Sequence, residues 1–159
     1  GCAQGEKRGP PHRLEALCVA SDYALIEADG ARGLPLKAPA EHEPVIPRGA
    51  KLVVAVMGAD GIGKPVATAH RPELYAALIG KPLDAIVAPE DAARALCHPY
   101  GQKKGVACRW RALINKADGD SALEAARACA RRIPGVAVVA SLLYKPEFIE
   151  IWRDGVCAS

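Results

Sequence analysis

Apolar runs of strand length alternate along this chain with stretches of helical pattern, and that alternation leaves few folds open. KLVVAVMG at 51–58 is the clearest strand, β-branched and closed by Gly58. DAIVA at 84–88, WRALIN at 110–115 and GVAVVAS at 135–141 read the same way, and YALIEA at 23–28 reads as a strand buried on both faces. Between them the pattern predicts helices over 12–21, 72–80, 89–97 and 119–133, with a last helix over 146–153. The second opens on Pro72 and stops at Gly80; the third opens on Pro89 with two acids behind it. Asp120 or Ser121 is the expected cap of the 119–133 helix. A Pro-rich stretch, 30–50, separates the first two strands. The expected architecture is α/β, three-layered, with a largely parallel sheet. Residues 1–21 are expected to be a flexible start and first helix, and 22–159 a single α/β domain.

Composition narrows the function classes. Half of the 159 residues are hydrophobic and a quarter are charged, which suits a globule with a sizeable core and excludes disorder, collagen and coiled coil. Aromatics make up only 4%, so small aliphatics must fill that core. No apolar run approaches the roughly eighteen residues of a membrane span. A net charge of +3 is too weak to argue for nucleic acid or an anionic membrane as partner. The chain starts at Gly1, and GCAQGEKRGPPH has no signal-peptide core, so a removed start or a piece of something longer is expected. The cysteines (Cys2, Cys18, Cys97, Cys108, Cys129, Cys157) show no C-x-x-C spacing, so structural zinc is not expected. Cys18 and Cys129 read as small buried hydrophobes. Cys97, His98 and Cys108 offer scattered metal or selenium ligands, with free thiols as the plainer reading. A reducing, cytoplasmic home follows.

Parallel sheets bind ligands where their strands end. The first predicted strand ends Glu27-Ala28-Asp29-Gly30. A carboxylate at that place, Asp29, suits magnesium held through water beside a phosphate; the alternative is a turn-forming Asp-Gly. Gly58-Ala-Asp-Gly-Ile-Gly63-Lys64-Pro65 nearly matches the phosphate loop G-x-x-x-x-G-K-[ST], but Pro65 brings neither hydroxyl nor N–H. A glycine-rich loop closing a strand is the alternative there. Asn115-Lys116-Ala117-Asp118 matches N-K-x-D, the guanine-reading motif of GTPases. The Asp carboxylate accepts from guanine N1–H and the exocyclic amine, the Lys stem covers the base, and the Asn ties neighbouring loops together. Val139-Ala140-Ser141 ends the next strand, where GTPases offer a backbone N–H to the base. The alternative is an Asn-Lys turn leading into a helix cap. Pro35, Pro39, Pro44 and Pro47 stiffen the loop carrying Lys37, His42 and Glu43, which is either a rigid platform or a plain crossing of the sheet. His70 and Arg71 precede a helix and suit an anion. Residues 98–105, with His98, Gly101, Lys103 and Lys104, form a basic, glycine-bearing loop.

Taken together, YALIEADGARGLPLKAPAEHEPVIP, the Gly58 loop, HRPE at 70–73, HPYGQKKG at 98–105 and LINKAD at 113–118 resemble the YqeC family. These are accessory proteins for selenium-dependent molybdenum hydroxylases, also described as selenium cofactor biosynthesis proteins. The resemblance covers about 22–142. It implies a P-loop NTPase-like fold, a purine nucleotide (GTP ahead of ATP) with Mg2+, and a hydroxylase or its cofactor-maturation machinery as partner. It points at Glu27 and Asp29 as catalytic, with Asp29 also on magnesium. Gly30, Lys37, His42, Glu43, Arg71, His98, Gly101, Lys104, Asn115, Lys116 and Asp118 are its binding residues. Family members begin with a strand and a G-x-G-G-K-T-T phosphate loop, and this sequence contains neither. NTP hydrolysis is therefore expected of the intact protein rather than of these residues alone, and an exposed sheet edge favouring self-association is expected as well. The other function left open is a non-catalytic module that binds a molybdopterin cofactor or hydroxylase partner through the 30–50 loop.

Overall fold

A computed structural model describes residues 22–158. Three neighbouring strands run parallel: β1 (Leu52–Gly58), β2 (Arg109–Asn115) and β3 (Val136–Ser141). The antiparallel strands β4 (Lys145–Arg153) and β5 (Val156–Ala158) extend the sheet in the order β1-β2-β3-β4-β5. The helices are α1 (Pro72–Ile79), α2 (Pro89–Cys97) and α3 (Asp120–Ala130). The fold is α/β, with a mixed five-stranded sheet.

The helix boundaries follow local chemistry. Pro72 lies at the start of α1, where its missing N–H is no loss, and Gly80 ends it in the left-handed region at φ 70. Asp91 in the first turn of α2 accepts the Ala88 N–H at 2.8 Å and pairs with Lys81. The core is built from one face of the sheet. Ala55, Met57, Ala112, Ile114, Ala137, Val139 and Trp152 pack there against Tyr75 and Ile79 of α1, Leu96 of α2, and Ala126 and Cys129 of α3. Small side chains let helices and sheet approach closely. The opposite face carries Leu52, Val54, Val56, Ile149 and Ile151, all exposed.

Several expectations are corrected. Residues 23–28 are no strand: Tyr23 is 89% and Leu25 99% exposed, because no described strand flanks them and a doubly buried strand needs neighbours. Residues 84–88 make a single bridge, Pro65 to Ile86, rather than joining the sheet. The predicted last helix at 146–153 is strand β4. Its alternation sends Phe148, Glu150 and Trp152 to the helix side and Ile149 and Ile151 to the other. α3 is capped by Gly119 rather than Asp120 or Ser121, and stops at Ala130. Among the described residues the helices form one layer, so the arrangement has two layers rather than three, and the sheet is only half parallel. The predicted helix at 12–21, with Cys18, lies outside the described residues; Cys129 is buried as expected.

Candidate functional site

The Pro-rich loop folds inward at its middle. Leu36, Lys37, Ala38 and Pro39 are buried, and backbone bonds to His70 (Ala38 N–H to His70 C=O, 3.2 Å; His70 N–H to Leu36 C=O, 2.8 Å) dock them beside α1. Docking buries the Lys37 ammonium among acids. It donates to Gly30 C=O at 2.6 Å, lies 3.0 Å from Glu43 Oε2 and contacts the Asp29 carboxylate. Arg71 completes the cluster with a two-pronged grip on Glu43 at 2.7 and 2.9 Å, and donates to Ala38 C=O at 3.1 Å. Arg71 caps α1 at φ 60, a strained backbone for a side chain other than glycine. Two acids therefore meet two bases in a space where Lys37 is 5% and Asp29 12% exposed.

Burial works against charge on Glu43, but the hydrogen bonds from Arg71, Lys37 and the Ala40 N–H outweigh it and hold its carboxyl down to about 2. Burial, more than Arg71, lowers Lys37 from the usual ammonium range, against the pull of Glu43. Burial and then the Arg71 charge lower His70 as well. Glu27 is close, since a Cβ added at Gly30 would sit 3.7 Å from its Oε1. His42 stays at the rim, 79% exposed with Nε2 3.9 Å from Glu43 Oε1.

The second predicted group forms a corner where β2 and β3 end side by side. Asn115 Oδ1 accepts the Leu142 N–H at 3.1 Å, the Ala117 N–H donates to Ala140 C=O at 3.1 Å, and the buried Ser141 hydroxyl donates to the Asp118 carboxylate. Asn115 thus ties two loops together, as the motif requires. Lys116 turns the chain at φ 57 and its ammonium lies 3.3 Å from Asp60 Oδ2. Gly58 links the corner to the Pro-rich loop. Its N–H donates to Pro35 C=O at 2.9 Å, and an added Cβ would lie 2.8 Å from Pro35 Cβ and 3.3 Å from Lys116 Cδ. The rest of the near-miss phosphate loop opens no α-helix. It makes a short 3-10 turn over Ala59–Gly61, and the Gly63 N–H is taken by Val87 C=O at 2.8 Å.

The basic loop after α2 clamps the Pro-rich loop from outside. Lys104 donates to the carbonyls of Ala40 and Glu41 at 2.8 and 2.6 Å. Gln102, which the sequence reading missed, donates to Lys37 C=O at 3.1 Å. Gly101 lies so close to the end of α2 that a Cβ would strike Ala95 C=O. Lys103 stands over the Trp110 ring, 5.6 Å from its centroid.

Among the described residues no three His, Cys, Asp or Glu side chains gather as a metal cage needs, so Cys97, His98 and Cys108 do not converge on one. Burial raises the Cys97 thiol. A magnesium ion asks less, because one carboxylate with phosphate and water suffices. The Asp29 Oδ2 is buried with no hydrogen-bond partner in the described residues, while Lys37 covers the other oxygen. No described helix is long and apolar enough to cross a membrane.

Comparison with known proteins bears on the same residues. A family model described as YqeC protein matches residues 2–73, which include the whole Asp29–Lys37–Glu43–Arg71 cluster. A curated relative, the uncharacterized protein YqeC of Escherichia coli strain K12, is 42% identical over 120 residues, 71% of this chain. The chain spans 47% of that relative's length. No solved structure matches. With the family model lying across the ion cluster and this identity sustained over most of the chain, the chain belongs to the YqeC family.

Proposed function

We propose that this chain is part of a P-loop NTPase-like, guanine-nucleotide-binding accessory factor for selenium-dependent molybdenum hydroxylases, acting in the cytoplasm. The observation that carries the nucleotide reading is the corner at the ends of β2 and β3, where Asn115 braces Leu142 and Ser141 holds Asp118. Asp118 is exposed and needs only to release the Ser141 hydroxyl to face two N–H groups of a guanine edge. The Leu142 N–H is held by Asn115 Oδ1, so a backbone N–H for the base carbonyl would have to come from beyond Leu142. Asp29 would hold magnesium through its buried, unpartnered oxygen once the loop over it opens, and the ion would supply charge neutralisation at a phosphate. Lys37 and Arg71 fix the loop from which that carboxylate projects. The hydroxylase role rests on the sequence resemblance alone, since neither the family description nor the relative's name assigns an activity.

Titration calorimetry of the longer family protein with GTP, GDP and ATP tests the reading. Guanine nucleotides are expected to bind at least tenfold tighter than ATP, with the preference lost in Asp118→Ala. Equal binding of GTP and ATP, or a preference untouched by Asp118→Ala, would remove it.

A non-catalytic reading draws on a separate observation. The Asp29–Lys37–Glu43–Arg71 cluster is charge-balanced and locks the Pro-rich loop into one shape, as a platform for a hydroxylase partner or its cofactor requires. A pulldown of the hydroxylase by this chain, without nucleotide and without turnover, would favour it.

A further inference from the structure

A groove of about 380 Å3 lies between residues 38–41, α1 and the loop after α2. Its floor comes from a second apolar stripe on α1. Tyr75 and Ile79 point into the core, while Leu74, Ala77 and Leu78, at i, i+3 and i+4, line the groove. Leu78 also packs partly against the core, whereas Ala77 is exposed and Leu74 is left 46% exposed on this side of the helix. The rim is polar and held in place. His98 Nδ1 accepts the Tyr100 N–H at 3.1 Å, so a neutral imidazole carries its proton on Nε2, and the two rings stand tilted with centroids 5.8 Å apart. Gly101 presses this turn onto the end of α2. The Lys104 ammonium spends two of its three hydrogens on the Ala40 and Glu41 carbonyls and keeps one. Glu41 adds an exposed carboxylate at the same mouth.

We propose that this groove is a binding site for a flat nitrogen heterocycle of one or two fused rings that carries an N–H beside a carbonyl. The apolar stripe receives one ring face and Tyr100 covers the other. Lys104 and His98 Nε2–H are the donors for the carbonyl, and Glu41 is the acceptor for the N–H. The volume falls within the range of small-molecule pockets, about 300–1,000 Å3, and an apolar floor with a few fixed polar groups is their usual lining. A rim braced by its own backbone loses little freedom on binding. The site shares no residue with the Asn115–Asp118 corner and stands whether or not that corner reads guanine.

Titrating the 159-residue chain with quinazoline-2,4-dione, followed by NMR of backbone and histidine ring signals, tests this. One saturable site is expected, with shifts concentrated at residues 74–78 and 98–104. Ala77→Trp, which fills the groove from an exposed helix position, should weaken binding at least tenfold, and Tyr100→Ala should do so by a different route. The 1,3-dimethyl form of the probe, which has no N–H, should bind at least tenfold more weakly. Asp118→Ala should leave the titration unchanged. Absence of saturation, shifts centred elsewhere, indifference to both groove variants, or equal binding of the methylated probe would each overturn the proposal.

Discussion

Glu43 ties the loop at 35–43 to α1, because one carboxylate answers Arg71, Lys37 and the Ala40 N–H together. Its folded carboxyl sits at about 2, below the ordinary 4.5. A depressed folded value means the ionised form is favoured by folding. The stabilisation is complete above the ordinary carboxyl range and is lost as pH falls from about 4.5 towards 2. Glu43→Gln is expected to lose about 2 kcal/mol at pH 7, an order-of-magnitude figure for breaking a partly buried, multiply bonded ion pair. It should also flatten the acid limb between pH 4.5 and 2. Urea denaturation of both proteins across that range checks it, and parallel profiles would deny Glu43 the role. Legibility at this scale depended on sequence distance. Asn115 was readable because the motif carries its own geometry within four residues. Lys37 and Glu43 were legible as residues of a stiff loop and Arg71 as an anion partner ahead of a helix, but their pairing was not, since Arg71 and Glu43 stand 28 residues apart with no local pattern between them. Gln102 left no signal at all: an amide reaching a carbonyl 65 residues away looks like any surface glutamine.

Elements were legible where one period dominated and failed where two signals competed. β1 and β3 are near-continuous apolar runs and β2 an apolar run broken by Arg111, and each was placed within a residue of its bounds. In β4 the sequence EFIEIW spaces its glutamates three apart and puts apolar residues on both faces, so it also suits a short helix, although the burial alternates residue by residue. What decides for a strand is its neighbour: the helix-side residues of β4 meet Ala137 and Val139 of β3 in register. A local cue to this was overlooked. Asp154-Gly155 joins β4 to β5 as a two-residue turn with φ 48 and 80, the Asp-Gly signature of a tight hairpin. Asp154 is further pinned by its side chain accepting the Gly135 N–H at 2.7 Å, and Gly155 abuts the backbone of Arg131. Gly155→Ala therefore meets both backbone strain and a collision, and is expected to cost about 2 kcal/mol. Gly49→Ala, at φ 83 with open space around it, meets strain alone and should cost no more than about 1 kcal/mol. Thermal denaturation of the two variants side by side measures the difference, and equal costs would mean that the Arg131 contact is not maintained in solution.

At the scale of the whole molecule the sheet is unequally dressed. Its helix side is closed by α1, α2 and α3, whereas Val54 and Val56 on the other side are 46% and 54% exposed, with Ile149 and Ile151 three strands further on. Parallel sheets normally carry cover on both faces, because their strands are apolar on both. The sequence could not disclose this asymmetry, since a continuous apolar run reads as doubly buried whatever lies above it. The chain spans less than half of its relative's length, so the face invites comparison between this chain and a longer one. In the 159-residue chain, Val54→Thr and Val56→Thr should each change stability by less than about 0.5 kcal/mol, because side chains already in water lose little when a methyl becomes a hydroxyl. Ile114→Ala, on the closed side with no exposure, should cost about 2–5 kcal/mol. Chemical denaturation at two protein concentrations a hundredfold apart makes the test complete. A valine cost near that of Ile114 at both concentrations would mean that the face is covered within the chain itself. A cost rising with concentration would mean that a second copy covers it. Small, concentration-independent costs are what an open face requires.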